Sequence, residues 1–141
     1  MPARDAVMAV ARGWFRSARS DLAVARLALV ERGDIDPWVV AFHAQQTAEK
    51  LFKAVLVIEQ IPFGRTHELE RLYLLVPPDW LVTEPDKLAA LSRFATSGRY
   101  PPDSSLSGSE PSWADAEASV RTAGALAATI LEGARSRGLP V

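Results

Sequence analysis

The sequence contains no cysteine, which excludes disulfides, thiol catalysis and cysteine-ligated zinc together. Its two histidines are far apart in the chain, and only Glu70 stands at helical reach of one of them, His67, so no metal site is expected. No run approaches the roughly 18–20 consecutive apolar residues that a membrane span needs. The first residues lead quickly into Arg12, Arg16 and Arg19, a poor pattern for a signal peptide, so a cytoplasmic protein is expected. An excess of positive charge is missing too: 16 Lys and Arg stand against 17 Asp and Glu, for a formal charge of −1. A protein built to grip bare nucleic acid would usually carry a clear positive balance.

What is present is an ordinary globular composition, 48% hydrophobic and 23% charged over 141 residues, enough for a single domain, 1–141. The apolar pattern repeats at helical spacing. A first helix over about residues 4–32 places Val7, Ala11, Trp14, Ala18, Leu22, Ala25 and Leu29 on one stripe, with Gly33 as its stop. Asp36-Pro37 opens a second helix, the Asp as N-cap and the Pro at the first helical position, running to about Gln60 before Ile61-Pro62. This helix is apolar over most of its circumference, which implies several neighbours or a partner subunit. A short helix follows from Thr66 to about Val76, ended by Pro77-Pro78. Thr83-Glu84-Pro85-Asp86 starts another, with Leu88, Leu91 and Ala95 inward and Gly98 at its end. A Pro-, Ser- and Gly-rich loop occupies 99–111, and Ser112 caps a last helix to about Arg137. Its inner stripe is Ala116, Val120, Ala123, Ala127, Ile130, Leu131 and Ala134. The expectation is an all-α, up-and-down bundle of four main helices plus one short helix, forming a homodimer in which the second helix lines the interface.

The most informative stretch lies in the second helix. His43, Gln46, Lys50 and Lys53 fall three or four apart and so share one face. A strip of donors and two ammonium groups beside apolar surface suits a nucleotide, a phosphate or a protein partner. On spacing alone the simpler reading is a solvated face, with Gln45 and Glu49 bonded to neighbouring helices. Asp21, one step from the buried stripe of the first helix, is expected to pair with an Arg or Lys of a neighbour, because an unpaired buried charge is costly. His67, at a helix start beside Thr66, is placed either to touch an anion or to close the turn.

These residues carry a resemblance. Trp14, Ala18, Asp21-Leu22 and Ala25, then Phe42-His43, Gln45-Gln46, Ala48-Glu49-Lys50, Lys53 and Leu56, then Thr66-His67-Glu68-Leu69 and Arg99-Tyr100-Pro101 resemble the HEPN family over roughly the first 100 residues. The resemblance implies a dimeric helical bundle, often paired with a small nucleotidyltransferase in a toxin–antitoxin system. For some members it implies nucleotide binding and for others RNA cleavage. The RNA-cleaving branches carry an Arg and a His separated by about four to six residues, a cation and a base for attack of the ribose hydroxyl on phosphate. That element is absent here: Asp36, Pro37 and Trp38 stand where His43 would need the Arg, and Gln60, Ile61 and Pro62 where His67 would. A degenerate form would join Arg93 to Tyr100, but tyrosine, with a pKa of about 10, is a poor base at neutral pH. Arg93, Arg99 and Tyr100 are better placed as contacts to phosphate or partner, or as loop anchors.

The resulting expectation is a non-catalytic module that binds a nucleotide or a partner nucleotidyltransferase through His43, Gln46, Lys50, Lys53, His67, Arg99 and Tyr100. No cofactor is implied beyond a nucleotide ligand. The alternatives are a metal-independent endoribonuclease toxin, with RNA as substrate, and a structural interaction subunit without a small ligand.

Overall fold

Alternating caps and apolar stripes produce the helices in the computed structural model, which describes residues 3–80, 82, 85–97 and 110–141. In chain order they are α1 (Arg4–Glu31), α2 (Pro37–Ile58), α3 (Leu69–Leu75), a single 3-10 turn (Pro78–Trp80), α4 (Pro85–Ser97) and α5 (Trp113–Ser136). The described residues are all-helical, with no strand among them. The four long helices and one short one match the element types read from the sequence.

Boundaries and faces differ in instructive ways. The buried face of α1 is Val7, Ala11, Phe15, Ala18, Leu22, Ala25 and Ala28. Phe15 points inward in place of Trp14, which lies half-buried at the edge with its ring 5.4 Å from the Lys53 ammonium. The turn after α1 begins at Arg32 itself, whose φ of 48° precedes Gly33 at 49°. Asp36 occupies the N-cap of α2 with Pro37 behind it, but its carboxylate makes no capping bond. The helix stops at Ile58 instead of Gln60. Gln60 takes the left-handed φ of 54°, and the amides of Gln60 and Ile61 return to the carbonyls of Val57 and Leu56 at 3.1 and 2.8 Å. That bond pair closes the last turn and satisfies carbonyls that would otherwise be stranded.

α3 starts at Leu69, later than expected, because the Thr66 hydroxyl accepts from the Glu68 amide at 3.1 Å and holds the preceding residues in a local turn. The expected α4 start at Thr83 and Glu84, its inward Ala95 side chain and its stop at Gly98 lie outside the described residues. In α5 the Ser112 hydroxyl accepts from the Asp115 amide while the Asp115 carboxylate accepts from the Ser112 amide, a reciprocal cap. All seven residues expected on its inner stripe are buried.

α2 is the hub. α1 packs along it antiparallel, and α5, α4 and α3 cover its other sides. Its own chain therefore covers most of its apolar circumference, with Val39, Phe42, Val57 and Ile58 left partly exposed. The alanines Ala11, Ala18, Ala25, Ala44, Ala48 and Ala54 are fully buried, so the helices approach closely where they cross. Among the described residues no helix is long and apolar enough to cross a membrane.

Candidate functional site

Antiparallel packing of α1 on α2 brings Asp21 onto the polar strip that the sequence places on α2. One Asp21 oxygen accepts from His43 Nδ1 at 2.8 Å and the other from Lys50 Nζ at 2.6 Å. Glu49, next to Lys50 in α2, repeats the arrangement with a different set. Its Oε1 receives Lys53 Nζ at 2.9 Å and His67 Nδ1 at 2.6 Å, while its Oε2 accepts from Gln46 at 2.9 Å. Gln46 also donates to the Gln45 side chain at 2.9 Å, which extends the Glu49 cluster along α2.

The two clusters differ in burial. The side chains of Glu49 and Lys53 are 2% and 8% exposed, and the lysine head lies between the rings of Trp14 and Phe63. Aromatic faces attract a cation and add to the attraction of the carboxylate. Asp21, Lys50 and His43 keep a partial outlook to solvent, and the His67 ring is 63% exposed. A carboxylate only accepts, so each imidazole meets it with an Nδ1 proton and turns Nε2 away. The strip thus ends in fixed imidazole edges, with its two ammonium groups already held by carboxylates.

Burial pushes the Asp21 carboxyl up, but hydrogen bonds from His43 and Lys50 together with the Lys50 charge outweigh it and hold the group below its ordinary value of 3.8. A depressed carboxyl stabilises the fold fully above its unfolded-state value, about 3.9, and loses that contribution as pH falls through the lower folded-state value. The stability gap between wild type and Asp21→Asn is therefore expected to be constant from neutral pH to about pH 5 and to narrow below about pH 4. Urea titrations at several pH values measure it; a gap that widens toward acid contradicts the assignment.

The structure unites His43, Gln46, Lys50, Lys53 and His67 from the sequence-derived set and adds Asp21 and Glu49 as the residues that hold them. Lys50 and Lys53 are in ion pairs, where the sequence offered them as ammonium groups for a ligand. Arg93 stands elsewhere, on a cleft of about 670 Å³ between α4 and α5. Arg99 and Tyr100 lie outside the described residues. Sequence reasoning missed Arg121, on the opposite wall of that cleft; only its position on the outer side of the α5 stripe marks it. Among the described residues no group of three His, Asp or Glu is placed to hold a metal ion.

A helical bundle whose central helix carries a row of amide, imidazole and ammonium groups defines the class. The HEPN domain family matches residues 11–133, and the chain belongs to that family. Two solved structures share the fold. The protein TT1696 from Thermus thermophilus is 22% identical, with 86% of this chain and 96% of that one covered at a TM-score of 0.63. The archaeal HEPN homologue ST0689 is also 22% identical, with 87% and 96% covered at 0.62. No curated protein matches the chain.

Proposed function

We propose that this HEPN domain is a non-catalytic helical module of a two-component, toxin–antitoxin type of system. It forms a homodimer, and its α2 edge meets a small nucleotidyltransferase; a nucleotide is its small ligand. One observation supports assigning the α2 edge to a protein: the edge is already charge-balanced. An incoming phosphate would have to displace Asp21 or Glu49 to reach Lys50 or Lys53. A polar protein surface needs only the hydrogen-bonding positions left on His43, Lys50 and His67, held rigid by their carboxylates. Preorganised polar groups lose little freedom on docking, which favours specific association.

The test is co-expression with a small nucleotidyltransferase encoded beside the gene, followed by calorimetry. A stoichiometric complex is expected, weakened about tenfold or more in a His43→Ala/His67→Ala variant, as for central polar contacts in an interface. Absence of a complex at micromolar concentration, or a complex indifferent to both substitutions, overturns the assignment. Light scattering that finds a monomer at micromolar concentration removes the dimer.

A second reading, metal-independent RNA cleavage, is favoured by the two carboxylate–imidazole pairs, since each leaves an Nε2 able to take a proton. It requires RNA to be cut in EDTA and the cutting to disappear in His43→Ala or His67→Ala; intact RNA removes it.

A further inference from the structure

α1 is buried along one side and open along the other, and the open side is not the polar face a solvated helix presents. Among the described residues six large apolar side chains stand exposed, and four of them, Val10, Val24, Leu27 and Val30, belong to this helix. Val10, Gly13, Ser17, Ser20, Val24 and Leu27 follow one another at intervals of three and four, the heptad spacing of a seam that a second helix can cover. The seam is branched and apolar toward its ends. In the middle it is hollow, and a Cβ on Gly13 would meet nothing within 4 Å.

Charge of one sign runs beside this seam. Arg12, Arg19 and Arg26 fall seven apart, with Arg16 between the first two, so the four share one flank of α1. All are exposed and make no ion pair or hydrogen bond among the described residues. Arg26 leans onto α5, so close over Gly124 that a Cβ there would stand 2.8 Å from its Nη2, and it shares a groove with the exposed Arg121. The carboxylate of that groove, Glu117, is held by Arg32 at 2.6 Å. Between Asp5 and Glu31 the one acidic residue of α1 is Asp21, and His43 and Lys50 engage it on the α2 side. An exposed helix face ordinarily mixes signs, and like charges four apart, such as Arg12 and Arg16, repel.

We propose that the outer face of α1 docks an acidic amphipathic helix of a partner protein, with its apolar ridge on the seam and its carboxylates on Arg12, Arg16, Arg19 and Arg26. Charge complementarity selects this occupant. A second copy would set the same arginines against one another, because the remaining carboxylates of α1 stand at its two ends. A nucleic acid would neutralise the guanidinium groups and leave the valines and Leu27 uncovered. A bilayer surface is gripped by aromatic and long apolar anchors, and the seam holds no aromatic residue. From Val10 to Leu27 the seam spans about 26 Å at 1.5 Å per residue, which a partner helix of about 20 residues covers. None of these residues belongs to the α2 edge, so the inference stands apart from the function proposed for that edge.

Fluorescence anisotropy on the full chain tests this with a labelled, end-capped synthetic helix of three heptads. The peptide carries Leu at the first and fourth places of each heptad and Glu along one flank; its counterpart carries Lys in place of Glu. The acidic peptide is expected to bind at micromolar concentration, at least about tenfold more tightly than the basic one. Arg16→Glu/Arg19→Glu and Val24→Asp are each expected to weaken it at least about tenfold. Arg65→Glu, an exposed arginine outside α1, leaves the affinity within about twofold. Thermal melts verify that each variant is folded. No binding at millimolar concentration, equal binding of the two peptides, or binding indifferent to the α1 variants overturns the proposal. Tighter binding to phosphatidylserine–phosphatidylcholine vesicles or to single-stranded RNA than to the acidic peptide overturns the partner class. A homodimer that Val24→Asp splits in sedimentation shows that a second copy covers the face, and overturns it too.

Discussion

Glu49→Ala is expected to lower the unfolding free energy by about 3–5 kcal/mol, the range for removing one partner of a buried ion pair. Among the described residues Glu49 is the sole carboxylate bonded to Lys53, and both side chains are almost completely covered, at 2% and 8% exposure. Without it the ammonium keeps the Trp14 and Phe63 rings, which attract a cation by about 0.5–2 kcal/mol each and replace neither its lost charge partner nor its hydrogen bond. Gln46 and His67 lose a bond in the same step. The desolvation argument makes a sharper demand of the double variant Glu49→Ala/Lys53→Met. Removing both charges while keeping aliphatic volume is often neutral in a buried site, so most of the loss should be recovered. Urea denaturation of the three chains measures this. A single-variant loss under about 1 kcal/mol, or no recovery in the double, contradicts the burial of the pair.

Trp80→Ala is expected to cost about 3–5 kcal/mol as well, through a cavity instead of a charge. Trp80 closes the 3-10 turn Pro78–Trp80 and is 1% exposed. Its indole N–H donates to Glu59 at 2.9 Å at the end of α2, and the Arg137 guanidinium stacks 3.9 Å above its ring. The site is shaped for it: a Cβ at Gly133 of α5 would come within 2.8 Å of the ring. Gly133→Val should therefore destabilise by displacing the indole, by about 1–3 kcal/mol, the usual cost of overpacking. Trp80→Phe should fall between wild type and alanine. Chemical denaturation followed by circular dichroism decides it. A wild-type midpoint in Trp80→Ala would mean that the indole does not pin the α3–α4 connection to the bundle.

Local signals carried the fold because they were redundant. Ser112 followed by Asp115 and the alanine-rich stripe of α5 both pointed to one helix, and both are realised. Asp36 was misleading because a residue can occupy the capping position without its side chain reaching an amide. Trp14 exchanged places with Phe15 because the two neighbours differ by a third of a turn, and a single sequence does not say which aromatic α2 will cover. The strip from His43 to Lys53 was legible from i, i+3 and i, i+4 spacing. Its electrostatic state was not, since Asp21 arrives from α1 and His67 from the lead-in to α3, contacts that helical periodicity does not encode. The apolar sides of α2 do not by themselves name what covers them, since burial by one's own chain and burial by a partner leave the same pattern in the sequence. Arg121 was invisible for want of any motif around it, and it gains meaning only when α1 brings Arg26 into the same groove.

The most direct test uses the fact that the chain has two histidines, both on the α2 edge. Long-range proton–nitrogen NMR of the labelled protein resolves the two imidazoles and reads which ring nitrogen holds the proton. With the nucleotidyltransferase absent, both rings are predicted to carry Nδ1–H, fixed by Asp21 and Glu49; on adding it, both Nε2 signals should move together. Imidazoles with mobile, mixed tautomers, or signals unchanged in a saturated complex, would contradict the assignment of this edge to the partner.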